Sequence, residues 1–191
     1  MESDPNPAKG LDRDSPRPIR FKTLWHQMLL DRSKPRMRLS ELLNPSAVSL
    51  RLESHEKREV IVELVELLEA AHGIDSQGEI LDRVLRREAM MSTGIGYGVA
   101  IPHGKARAAN RMVAACAVAP SGVDFAAEDG QPVYVFVLFV SPENATTQHV
   151  RALANLSRLL KEESVRRALR EAPSVEAFLT TLQNAEAAYI P

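Results

Sequence analysis

Apolar side chains recur at two different periods along this chain, and the change from one period to the other lays out its elements. Ile61, Leu64, Val65 and Leu68 fall at i, i+3, i+4 and i+7, the stripe of one helix face. The spacing predicts a helix from about 55 to 71, with Ser54 as its cap, Glu56 in its first turn and Gly73 at its end. A second helix starts at Asp75 or Ser76 and turns Ile80, Leu81, Val84 and Leu85 inward; Arg86 and Arg87 in its last turn complement the helix dipole. Three apolar runs follow, at 99–101, 112–119 and 133–140. The last of them, VYVFVLFV, holds no charged or amide side chain, as expected of a central strand covered on both faces. A polar turn at 124–131 precedes it. Helices finish the chain: one from about 147 to 161 with Leu153, Leu156 and Leu160 inward, a short one at 165–169, and one capped by Ser174 that carries Val175, Phe178, Leu179 and Leu182. Ahead of all these, Leu39, Leu42 and Leu43 suggest one helical turn stopped at Asn44-Pro45, and 47–52 alternates as a first strand. The expected fold is α/β, a mixed β-sheet of four or five strands flanked by helices, in a single domain over residues 38–186 with an N-terminal extension.

The extension, residues 1–36, reads differently. It holds 5 of the 12 prolines and 8 Lys or Arg against 5 Asp or Glu, so the remaining residues carry 16 against 20 and the whole chain is close to neutral at −1. Proline at this density keeps a backbone from settling into helix or ladder, so a disordered leader is expected. Within it Phe21, Leu24, Trp25, Met28 and Leu29 form a helical stripe surrounded by Arg and Lys. Such a segment can dock on an anionic membrane or in a partner's groove. The same pattern also arises from loose packing on the domain, or from an early start codon with Met37 as the true beginning.

The near-neutral balance argues against binding of bulk phosphate backbone, so no nucleic-acid partner is expected. Cys116 is the one cysteine and lies in an apolar run, where a thiol behaves as a small hydrophobe; a reducing compartment fits. The first ten residues lack the pattern of a secretory signal, and no run of 18 apolar residues occurs, so a cytoplasmic protein without stable membrane insertion is expected.

Only one stretch is chemically distinctive: Arg87-Glu88, then STGIGYGVAIPHGK from Ser92 to Lys105. Its glycines lead into a strand, which does not fit a dinucleotide fingerprint, and no phosphate-loop string is present. What remains is His103, held at a strand end between Pro102 and Gly104. A histidine with an ordinary pKa of about 6.5 is largely neutral at neutral pH. One ring nitrogen then has a free lone pair, and attack on a phosphoryl donor gives phosphohistidine. Cations and donors around the phosphoryl oxygens help this chemistry more than a metal does. Arg87, Ser92, Thr93, Lys105 and His149 are the candidates. If Thr146 or Thr147 caps its helix, His149 lies in a first turn, where free amides favour an anion. Each has a plainer reading: His103 as a hydrogen-bonded structural histidine, His149 as a solvent-facing residue, Arg87 as a dipole partner. His26, His55 and His72 receive no role. The histidines lack a Cys or carboxylate at zinc-ligand spacing, so neither metal nor cofactor is expected.

The string R-E-x-x-x-S-T-G-I-G-x-G-x-A-I-P-H-G-K resembles the phosphorylated-histidine motif of the enzyme IIA domains of the bacterial phosphotransferase system, of the mannitol and fructose type, and most of all the free-standing nitrogen-regulatory enzyme IIA. The likeness runs from about residue 38 to 186 and takes in Asp129-Gly-Gln-Pro and Thr147-Gln148-His149. It implies that His103 accepts a phosphoryl group from a histidine phosphocarrier protein. It also implies that His149 hydrogen-bonds the phosphoryl oxygens, that Arg87 lies beside the site, and that Ser92 and Thr93 are the family's hydroxyl pair. With no room seen in the chain for a permease or an enzyme IIB domain, a regulatory role toward target proteins is expected. The rivals are a sugar-transport enzyme IIA feeding a separate enzyme IIB, and a non-catalytic binding module of the same fold. The resemblance offers no counterpart of residues 1–36.

Overall fold

The structure, a computed structural model, describes residues 37–190. Six strands form one mixed sheet: β1 (Leu43–Ser49), β2 (Gly94–Gly96), β3 (Val99–Ala100), β4 (His103–Lys105), β5 (Val113–Val123) and β6 (Val133–Ser141). The order is β1-β5-β6-β3-β2, with β4 also on β6. β5 and β6 pair antiparallel, β1 runs parallel to β5, and β3 and β4 both run parallel to β6. The expectation of four or five strands is corrected to six. Residues 99–105 follow one edge of β6, and Pro102, which has no N–H to give, divides them into β3 and β4. The short Gly-Ile-Gly piece β2 pairs with β3 and adds the sixth.

Each face of the sheet is covered. Val113, Ala115, Ala117, Phe136, Leu138 and Val140 pack against α2 (Lys57–His72) and α3 (Glu79–Met90). Ala114, Cys116, Val118, Val135, Val137 and Phe139 point the other way, against α1 (Leu39–Leu42), α4 (Thr146–Leu160), α5 (Glu163–Arg170) and α6 (Val175–Tyr189). The alternation is the two-residue period of a strand, with apolar partners on both sides. β6 is therefore the centre of the core, and Phe136, Leu138 and Phe139 are wholly buried. Cys116, in the middle of β5, is also fully buried, and burial pushes its thiol pKa well above the usual range.

Several boundaries depart from expectation. The first strand is Leu43–Ser49, not 47–52, and runs through Pro45; it is an edge strand with a register irregularity between Leu43 and Val48, where a proline costs no ladder bond. Ser54 does not cap α2. Glu63 folds back to accept from the backbone N–H groups of Glu53 and Ser54, at 3.1 and 2.9 Å, and the helix starts at Lys57. α3 begins at Glu79 because Gln77 and Gly78 take left-handed backbone, although Ser76 Oγ still accepts from Ile80 N at 3.3 Å. Neither Thr146 nor Thr147 is the cap of α4; both are helical and Ala145 precedes them. Gly73, at φ 64°, and Ser174, whose Oγ accepts from Ala177 N, end α2 and start α6 as the sequence indicates. The leader and its stripe at 21–30 lie outside the described residues.

Candidate functional site

The distinctive string builds one end of the sheet. Tyr97 and Gly98 are the two central residues of the β2–β3 turn, with φ of 58° and 73°, the left-handed pair of a type I′ hairpin. Asp129 steadies this turn by accepting from Tyr97 N at 2.8 Å. The chain then returns along β6 and delivers His103 opposite Phe139, with Gly104 and Lys105 opposite Val140 and Ser141. His103, Lys105 and Ser141 thus face the α4 side of the sheet. Gly104 faces α3, and a Cβ there would stand 3.2 Å from Val84 Cγ2 and 3.4 Å from Val84 N. The missing methyl group lets α3 lie close against β4, and Arg87 near its end reaches round that edge to His103.

The ring of His103 is held at both nitrogens. Its Nδ1 lies 2.8 Å from the Ile101 carbonyl, which can only accept, so Nδ1 carries the proton. Nε2 consequently has the lone pair, and it accepts from Arg87 Nε at 3.1 Å. The guanidinium is anchored from behind by donation from Nη1 to the Met91 carbonyl at 2.8 Å. Burial, reinforced by the charge of Arg87, lowers the pKa of His103 against the opposing pull of Ile101 and Glu88. The ring is neutral at neutral pH, with its lone pair at Nε2.

His149, in the first turn of α4, is only 6% exposed. Its ring centre is 5.5 Å from that of His103 and 5.1 Å from that of Phe139. Nδ1 is 2.7 Å from the Ser141 hydroxyl. Burial, then the charges of His103, Lys105 and Arg87, push its pKa down to about 4. Lys105 completes the ring of groups by donating to Thr146 Oγ1 at 2.8 Å, which holds its ammonium at the head of α4.

Four of the six residues singled out in the sequence therefore converge: Arg87, His103, Lys105 and His149. The hydroxyls of Ser92 and Thr93 are engaged elsewhere. Ser92 Oγ donates to the Phe125 carbonyl at 3.2 Å and accepts from Gly94 N, while Thr93 donates through both its N–H and its hydroxyl to Glu88. They fasten the loop between α3 and β2. Glu88, quoted in the string, was given no role of its own. Its buried carboxylate pairs with Lys57 Nζ at 2.6 Å and ties the end of α3 to that loop beside Arg87. The only signal for it was its place next to Arg87. Ser141, unforeseen, is fully buried at the end of β6. Among the described residues no group of three His, Cys, Asp or Glu is arranged to hold a metal ion. No helix among them is long and apolar enough to cross a membrane.

Comparison with known proteins gives the family and the fold. The family model described as "Phosphoenolpyruvate-dependent sugar phosphotransferase system, EIIA 2" matches residues 41–185. A nitrogen regulatory protein of Bradyrhizobium diazoefficiens is 32% identical over 76% of this chain and 95% of its own. The fructose-specific EIIABC component of Bacillus subtilis is 37% identical over 75% of this chain, which spans only 22% of that longer protein. Among solved structures, the nitrogen regulatory protein IIA-Ntr of Neisseria meningitidis superposes with a TM-score of 0.69 at 30% identity, over 75% of this chain and 97% of that one. A mixed sheet flanked by helices is thus shared with it, and the chain belongs to the type 2 enzyme IIA family of the phosphoenolpyruvate-dependent sugar phosphotransferase system.

Proposed function

We propose that this chain is a phosphocarrier that accepts a phosphoryl group on Nε2 of His103 from a histidine phosphocarrier protein and acts as a regulatory, nitrogen-type enzyme IIA. The observation that carries the reading is the fixed tautomer of His103: the Ile101 carbonyl keeps the proton on Nδ1, so the lone pair stands at Nε2 among Arg87, Lys105 and His149. In the transfer the Nε2 lone pair forms a bond to phosphorus while the donor's N–P bond breaks and its electron pair returns to the donor ring. His103 keeps its Nδ1 proton, and the positive charge that develops on the ring is stabilised by the Ile101 carbonyl. Arg87 Nε–H gives up Nε2 and turns, on its Met91 anchor, to the phosphoryl oxygens. Lys105 supplies a second charge and His149 a neutral donor. Such preorganised groups act without the reorganisation that water would need. Ser92 and Thr93 serve this site through the loop they fasten. Met90 and Met91, 82% and 68% exposed beside Arg87, offer adaptable apolar surface to a protein partner.

The regulatory role is supported by similarity along nearly the whole of the Bradyrhizobium nitrogen regulatory protein. The sugar-transport reading, with a separate enzyme IIB as acceptor, draws on the higher identity to the fructose-specific component. Incubation with phosphoenolpyruvate, enzyme I and the phosphocarrier labels the protein in an acid-labile way under this reading. A label that persists in His103→Ala would overturn it, and rapid onward transfer to a purified fructose-type enzyme IIB would favour transport over regulation.

A further inference from the structure

The hydroxyl of Ser141 is buried at the end of β6 with two possible acceptors, His149 Nδ1 at 2.7 Å and the Pro142 carbonyl at 3.4 Å. A hydroxyl has one proton to give, and its choice decides where the proton of His149 sits. If Ser141 donates to Pro142, Nδ1–H of His149 must donate to Ser141, and Nε2 carries a bare lone pair. If Ser141 donates to Nδ1, the imidazole proton is on Nε2.

Three observations favour the second arrangement. The contact to Nδ1 is of ordinary O–H···N length, whereas that to Pro142 is at the outer limit of a hydrogen bond. The Pro142 carbonyl already accepts from Ala145 N at 3.1 Å, so it is not left unsatisfied when Ser141 turns away. Among the described residues no cation donates to Nε2: Lys105 donates to Thr146, and Arg87 to His103 and Met91. Among the described residues His149 Nε2 has no protein partner. A phosphoryl group is an acceptor only, so it needs an N–H at that point.

We infer that Ser141 is a positioning residue: by donating its hydroxyl proton to Nδ1 of His149 it fixes the Nε2–H tautomer, so that a neutral His149 presents a hydrogen-bond donor to a phosphoryl group on His103. The two histidines of the site are then opposite tautomers: His103 keeps its proton on Nδ1, which donates to the Ile101 carbonyl, and His149 keeps its proton on Nε2 because its Nδ1 accepts from Ser141. One ring offers a lone pair and the other a proton, and neither needs to be charged. The part concerning phosphoryl oxygens rests on the function proposed above, whereas the tautomer itself does not.

Long-range proton–nitrogen NMR correlation on the histidine-labelled, full-length, unphosphorylated protein at pH 7 reads the tautomers directly. The expected result is an unprotonated Nδ1 on His149 and an unprotonated Nε2 on His103. A protonated Nδ1 on His149 would overturn the inference, whatever happens to the label. Ser141→Ala should slow phosphoryl acceptance by about tenfold, the scale of one lost hydrogen bond, with the KM for the donor unchanged. In a His149→Ala background the same change should cost nothing further. A penalty that persists there would mean that Ser141 acts through packing. Should His103→Ala keep its label, the proposed function fails while the tautomer result stands on its own.

Discussion

At His103 and His149 the fold holds two imidazoles neutral below their ordinary range. As pH falls below about 6.5, the unfolded chain takes up protons that the folded rings refuse. Stability from these neutral rings is complete above that pH and drains away as pH falls toward 4, the value to which His149 is pushed. Urea midpoints should therefore decline between pH 6.5 and 4, and His149→Gln should flatten the decline; an unaltered slope would contradict a neutral His149. Under the proposed function, the charge of Arg87 acts instead on the transition state of the transfer. Arg87→Gln should lower the rate of phosphoryl acceptance by about a hundredfold, as loss of one preorganised donor does, with little change in the melting temperature. Single-turnover labelling against the donor checks this. The sequence made His103 and Arg87 legible because their motif is contiguous with the turn and strand that aim them. Ser141 and Glu88 were not legible, since a serine ending an apolar strand or a glutamate in a helix's last turn has no meaning until its partner, His149 or Lys57, is brought to it from elsewhere in the chain.

Between neighbouring elements, the closest dependence is that of α3 on β4. A methyl group at Gly104 would stand 3.2 Å from Val84 Cγ2 and 3.4 Å from its backbone nitrogen, so Val84 must give by a few tenths of an ångström, and any part of that taken up by the helix moves Arg87 with it. Gly104→Ala should fold, with a stability loss of about 1–3 kcal/mol, yet lose more than tenfold in phosphoryl acceptance. Loss of stability alone, with full acceptance, would show that Arg87 does not depend on this contact. Apolar period revealed the helices and the central strand, because burial on one face or two leaves a direct trace in residue type. Helix starts were less visible. Ser54 and the pair Thr146 and Thr147 have the chemistry of caps, but Glu63 takes the backbone of the first and the helix simply includes the others. β1 was displaced in the reading because Pro45 looks like a stop, and an edge strand tolerates it. The sheet's additional members were hidden for related reasons: Pro102 splits a single extended path into β3 and β4, and β2 is only the three residues Gly94–Gly96.

Across the whole molecule, β6 is the element that every other part depends on. It joins β5 to β3 and β4, carries Phe139 and Ser141 to the site, and fills both layers of the core. Leu138→Ala, at full burial, should cost about 3 kcal/mol and lower the urea midpoint accordingly. A second tie closes the domain at its far side, where the buried carboxylate of Glu186 in α6 accepts from the backbone N–H of Ser40 at 3.2 Å and from its hydroxyl, so that the first and last described helices hold each other. The thiol of Cys116 lies in one of these layers, sealed between the sheet and the layer of helices α1, α4, α5 and α6, with its pKa raised by burial and by the charge of Glu186. An alkylating reagent reaches that sulfur only when the two layers part, so the rate of its modification is a clock for global opening. The chain therefore carries its own stability gauge, readable in crude extract by mass spectrometry. On that gauge Leu138→Ala should run about a hundredfold fast, and Arg87→Gln should keep the unaltered protein's time.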